Sequence, residues 1–175
     1  GRAHGELTAD LYIDCTGFRA RLIGETLGSE FTSYKDQLFC NRAVAMQVPY
    51  DQPNAPIPSC TYATAQAAGW TWDIGLHNRR GIGYVYSSDH CSDEAALDNL
   101  KRYIGPAANE LTHRQLKFEA GFRKIQWHKN CVGIGLSVGF IEPLEATGIS
   151  FAEVAAITTT SADSSAVRAA SDNVA

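Results

Sequence analysis

Two glutamates, Glu142 and Glu145, bracket Pro143-Leu144 in an otherwise apolar stretch, GFIEPLEATGISF. A carboxylate in apolar surroundings resists ionisation, and a raised pKa suits proton transfer near neutral pH. The same side chains would be chemically plain in a solvated loop, and the residues alone leave both readings open. Just beyond them, Thr147 and Gly148 fall where a helix is expected to open. Unpaired N–H groups and the helix dipole favour an anion at such a point, although an ordinary cap uses the same residue types.

Upstream, Gly135-Leu136-Ser137-Val138-Gly139 matches the GxSxG pattern of a nucleophile elbow. That elbow takes its acid and then its histidine after the serine, whereas the last histidine here is His128. Pro143 also stands where the elbow's helix would run, so Ser137 is not read as a nucleophile. Gly133, Gly135 and Gly139 spell GxGxxxG, one residue away from the dinucleotide fingerprint, and no acidic residue ends a second strand about 20 positions later. The glycines are better read as letting backbone approach another strand or a flat ligand. Histidines and cysteines show no ligand spacing, so no metal site is expected.

The elements that must carry these residues follow from periodicity. DLYID (residues 10–14) is a short apolar strand closed by the turn-like Cys15-Thr16-Gly17, and residues 43–50 (AVAMQVPY) form another before a proline-rich loop. Trp70, Trp72, Ile74 and Leu76 share one face at period two, which predicts a half-buried strand with the tryptophans in the core. Asn78 to Gly81 supply a turn, and Ile82 to Ser88 return antiparallel. Ser92 caps a helix with Asp93 and Glu94 in its first turn and Gly105-Pro106 as its stop. Residues 116–127 read as one long strand or a hairpin bent near Gly121, Asn130 to Leu136 as a further strand, and a helix opens near Gly148.

With 45% hydrophobic and 19% charged residues, 175 residues suffice for a sizeable core. About 70% of the unfolded surface can be hidden in one domain of this size. Fifteen basic against nineteen acidic residues give a net charge of −4, which offers no footprint for nucleic acid or an anionic membrane. No stretch approaches the ~18 apolar residues of a membrane span, and GRAHGELTAD lacks the apolar core of a signal peptide. Five cysteines without a CxxC fit a reducing compartment, so a cytoplasmic protein is expected.

Four blocks, DLYIDCTGFRARLIG, NRAVAMQVPY, ATAQAAGWTWDIGLHNRRGIGYVYSS and WHKNCVGIGLSVGFIEPLEATGI, resemble in this order the flavin-dependent tryptophan halogenases. The resemblance covers about residues 6–157 and places them in the middle of a longer family chain, so the sequence reads as an internal fragment. It implies an α/β fold, a mixed β-sheet with few helices, forming the central part of an FAD-dependent monooxygenase-like domain. Residues 1–157 would be a partial halogenase domain and residues 158–175 a poorly ordered tail.

The implied cofactors are FAD, as FADH2 from a separate flavin reductase, and chloride or bromide. With oxygen these give hypohalous acid, which a family lysine, assisted by a glutamate, delivers to a small aromatic substrate such as tryptophan or indole. Nucleic acid and membrane are not implied partners, and a homodimer is compatible with the resemblance. Glu145 falls on the position of the catalytic glutamate, Thr147 and Gly148 on the halide-binding pair, and Leu136 and Ile149 beside the isoalloxazine, through backbone atoms. Trp70 and Trp72 match a WxWxIP motif that screens the flavin from direct attack on substrate.

Two departures stand out. Gly75 occupies the place of that motif's proline, which would loosen the strand end, and Ala146 replaces a common serine, removing a hydroxyl near the site. The family places its catalytic lysine and glycine-rich phosphate loop before this region, so the 175 residues alone are not expected to halogenate. A flavin monooxygenase-like oxidoreductase without halide use and a non-catalytic binding module are the alternative readings.

Overall fold

The computed structural model describes residues 5–161. In chain order the strands are β1 (Tyr12–Asp14), β2 (Phe31–Ser33), β3 (Arg42–Pro49), β4 (Tyr62–Gln66), β5 (Gly69–Gly75), β6 (Arg79–Tyr86), β7 (His113–Lys117), β8 (Gly121–Arg123), β9 (Trp127–His128), β10 (Cys131–Gly133) and β11 (Gly139–Phe140). Two α-helices, α1 (Asp93–Ile104) and α2 (Thr147–Ser161), join short 3-10 turns and a six-residue π-helix, Arg21–Thr26. The fold class is therefore the expected α/β with mixed pairing and few helices. The chain divides into two compact units: residues 35–119, and the flanking segments up to residue 34 and from 120 onward.

The central unit is a five-stranded antiparallel sheet in the order β4-β5-β6-β3-β7, with α1 packed against β3 and β6. Val44, Met46 and Val48 alternate along β3 and meet Ile82, Tyr84 and Tyr86 of β6 and Ala96 and Leu100 of α1 in one buried cluster. The helix starts as its residues dictate: Ser92 Oγ accepts the Ala95 N–H at 3.2 Å, Asp93 and Glu94 occupy the positive end, and Gly105 at φ 93° stops it. The Tyr86 hydroxyl ties sheet to helix by donating to Asp93 Oδ1 at 2.7 Å.

The β5 face reverses the expectation. Thr71 and Asp73 are the buried side chains, at 1% and 3% exposure, while Trp70 and Trp72 are half-buried and Ile74 and Leu76 exposed. Register explains it: Thr71 and Asp73 lie opposite Tyr84 and Ile82, which share the buried cluster with α1. Asp73 survives burial because it is paired with the Arg80 guanidinium and accepts the Tyr103 hydroxyl of α1 at 3.4 Å. The hydrogen bond to Asp73 in turn holds the Arg80 guanidinium more firmly protonated than usual.

The flanking unit holds two small sheets, β1-β10-β9, with β1 and β10 parallel, and β11-β8-β2, all antiparallel. The stretch 116–127, expected as one long strand or a hairpin bent near Gly121, is neither: β7 belongs to the central sheet and β8 to the flanking unit. Gly121 makes the second half possible, since a Cβ there would stand 2.2 Å from the Thr32 carbonyl oxygen. The strand expected to run to Leu136 ends at Gly133, where the chain turns into a 3-10 helix, Gly135–Ser137. Residues 158–161, expected as part of a poorly ordered tail, complete α2, and the tail from 162 lies outside the described residues. No helix among the described residues is long and apolar enough to cross a membrane.

Candidate active site

The candidate site is assembled on the flanking unit, beginning with Asp14 at the end of β1. Its carboxylate is fully buried and saturated: Oδ1 accepts Thr16 N–H at 2.9 Å and the Thr16 hydroxyl at 2.6 Å, while Oδ2 accepts Leu22 and Ile23 N–H at 2.8 and 2.9 Å. Burial pushes the Asp14 pKa up, but the Thr16 hydroxyl and the Ile23, Thr16 and Leu22 amides together outweigh it and hold it below the ordinary value. The same residue's backbone carbonyl accepts Ile134 N–H at 3.0 Å and the Ser137 hydroxyl, so Asp14 fixes both the π-helix and the turn after β10.

Ser137 is buried and spends its hydroxyl on the backbone, accepting Ile134 N–H at 3.1 Å while donating to Asp14. Its own carbonyl accepts Arg123 Nε at 2.8 Å, and Arg123 Nη1 reaches the Ser29 carbonyl at 2.6 Å. Gly24 makes room for that guanidinium, whose carbon would lie 2.6 Å from a Cβ at position 24. Ser137 is thus a rivet of the fold, in accord with its exclusion as a nucleophile. The turn it holds carries Gly135 at φ 67° and presents Leu136 outward.

Downstream, Pro143 opens a 3-10 turn, Pro143–Glu145, and Ala146 at φ 53° redirects the chain into α2. Glu142 is half-buried, whereas Glu145 is exposed, so of the two sequence readings Glu145 follows the solvated one. Thr147 and Gly148 form the first turn of α2, whose amides the helix cannot pair within itself. A Cβ at Gly148 would meet nothing within 4 Å, which leaves open space beside those amides.

A cavity of about 560 Å³ lies within this unit, between α2, the β10 end and β11, bordered by Gly133, Gly135, Phe140, Gly148, Phe151 and Ala152 among others. Its size and apolar aromatic lining suit a flat organic group. Of the site residues that the resemblance implies only Gly148 lines it, together with Gly133, Gly135 and Gly139, the glycines read from the sequence as open to another strand or a flat ligand. Leu136 and Ile149 carry their side chains outward, at 43% and 73% exposure, so neither side chain forms its wall. Phe122, Trp127, Phe140 and Phe151 were not anticipated; only Phe151 carried a signal, helical spacing, since Gly148, Phe151, Ala152, Ala155 and Thr159 recur along one face of α2. Trp70 and Trp72 belong to the central unit, where their rings sit 6.2 Å apart, tilted by 59°.

Comparison with known proteins agrees with the motif blocks. Residues 2–166 match the family model described as tryptophan halogenase. The chain is 47% identical over 150 residues to the tryptophan 6-halogenase SttH of Streptomyces toxytricini, covering 86% of this chain and 29% of that protein. Among solved structures, a tryptophan halogenase from Shewanella frigidimarina superposes with a TM-score of 0.85 at 49% identity, over 89% of this chain and 30% of its own. Tar14, a tryptophan C-6 flavin-dependent halogenase (chlorinase) from taromycin biosynthesis, gives 0.86 at 46% identity, over 94% of this chain and 34% of its own. The chain thus spans about a third or less of the relatives it matches. It belongs to the tryptophan halogenase family.

Proposed function

We propose that these residues are the middle part of a flavin-dependent halogenase that uses FADH2, O2 and chloride or bromide to halogenate tryptophan or a similar electron-rich aromatic compound. The observation that carries the reading is the Glu145-Ala146-Thr147-Gly148 segment. A left-handed Ala146 ends a short turn and leads straight into α2, whose second residue, Gly148, borders the cavity. In this reading residues 1–157 are the middle segment of the halogenase domain.

The reduced flavin, with oxygen, supplies the oxidising equivalent that turns halide into hypohalous acid. The chain's own residues hold and direct the reactants. Thr147 and Gly148 receive the halide at their amides, where the helix dipole and the open space favour a small anion. Leu136 and Ile149 border the isoalloxazine through backbone atoms, a role their outward side chains permit. Glu145 assists the halogen-delivering lysine and takes the ring proton. Trp70 and Trp72 screen the flavin from substrate. A separate flavin reductase supplies FADH2, and the protein works in the cytoplasm, as a homodimer or alone.

Glu145→Gln in the full-length protein tests the site. Turnover is expected to fall by about 10²-fold or more, as for loss of a proton-transfer group, with flavin affinity unchanged. Unchanged turnover would remove Glu145 from the mechanism.

A further inference from the structure

We propose that Gly83 is a positioning residue for Trp72, setting how flat the indole lies against the central sheet; the inference rests on the halogenase reading and adds a residue to it. In the register of the sheet, Ala63, Trp72, Gly83, Ala45 and Arg114 form one cross-strand row. The Trp72 indole extends over its direct partner, Gly83. A Cβ at Gly83 would lie 2.2 Å from Trp72 Cη2 and Cζ2 and 2.7 Å from Cε2, closer than atoms can approach.

Backbone conformation does not require glycine there, because Gly83 is not among the positive-φ residues. Space alone requires it. The contrast on the same strand is Gly81, two residues away on the same face, where a Cβ would meet only Leu76 Cδ1 at 3.9 Å. The equivalent partner of Trp70 is Val85, so this row was cleared for Trp72 and not for tryptophans in general. A side chain at position 83 must lift the indole off the sheet. Because Trp72 screens the flavin in the proposed function, that lift would appear as a change in the fate of the oxidising equivalent.

The test uses the full-length protein and measures brominated product formed per FADH2 consumed. Gly83→Ala is expected to lower this ratio at least fivefold, and Gly81→Ala to leave it within twofold. In a Trp72→Phe background, which lacks the clashing atoms, Gly83→Ala should change the ratio less than twofold, so that the two effects are coupled. Equal losses from Gly83→Ala in both backgrounds, or a lowered melting temperature with an unchanged ratio, would overturn the proposal. Should Gly83→Ala alone fail to fold, the double variant is expected to fold, and an equally unfolded double variant would count against it. A parent protein that makes no brominated product would instead refute the halogenase reading, and this proposal with it.

Discussion

The Ser137 hydroxyl donates to the backbone carbonyl of Asp14, 123 residues earlier, and joins the turn after β10 to the end of β1. Ser137→Ala strips the Asp14 carbonyl and the Ile134 amide of a buried partner in one step. The Ile134 N–H still donates to the Asp14 carbonyl, so the change is expected to cost about 0.5–1.5 kcal/mol in denaturant unfolding of the full-length protein. A fluorophosphonate probe should leave Ser137 unlabelled, since its proton is already committed to the backbone.

Asp14 predicts an acid-sensitive element. Its folded-state pKa lies below the ordinary 3.8, so the carboxylate contributes stability that is fully present above that value and lost as pH falls through the lower folded-state value. Asp14→Asn is expected to lose about 2–3 kcal/mol near neutral pH and to make the acid limb of the stability profile shallower. Urea titrations between neutral pH and strong acid check both. Parallel wild-type and variant profiles would show that Asp14 is not the group responsible.

Gly148→Ala separates the halide role from folding. The added methyl meets no atom within 4 Å, and alanine in a helix is favoured over glycine by about 1 kcal/mol, so the melting temperature should hold or rise. The same methyl occupies the space offered to the anion. The KM for bromide should therefore increase about tenfold, with FADH2 affinity unchanged. An unaltered bromide KM would place the halide elsewhere.

Gly75 marks a local departure from the family motif, and the structure gives it a cause. Proline would bring a Cβ within 2.6 Å of Pro58 Cδ and 3.1 Å of Ile57 Cγ2 and the Tyr50 hydroxyl oxygen. The strand end is closed by this packing, contrary to the loosening that glycine alone suggests. Gly75→Pro is thus expected to destabilise by about 1–3 kcal/mol despite matching the motif, which thermal unfolding would register as a lower midpoint. A higher midpoint would contradict the packing account.

What the residues disclosed in advance depended on how local the deciding forces were. Helix α1 was legible from Ser92 to Gly105 because cap, charges and stop are all local. The hairpin of β5 and β6 was legible from alternation, but its turn falls at residues 76–78, and Arg79, Arg80 and Gly81, expected in the turn, open β6. The buried face of β5 was not, because the choice between Trp72 and Asp73 is made by Arg80 on the next strand and Tyr103 on α1. Short strands such as β2, and the π-helix after Ala20, carry too few residues for a period to show, and the π-helix is stabilised by the distant carboxylate of Asp14. At the site, Thr147 and Gly148 were legible as a helix start, whereas the aromatic wall of Phe122, Phe140 and Phe151 gathers from separate elements that only folding brings together.

The most direct test supplies the full-length protein with FADH2, oxygen, bromide and tryptophan and records the product mass. The account predicts a monobrominated tryptophan, seen as an isotope doublet that disappears when bromide is withheld. A product that gains oxygen without bromine, or unchanged tryptophan while FADH2 is consumed, would contradict it.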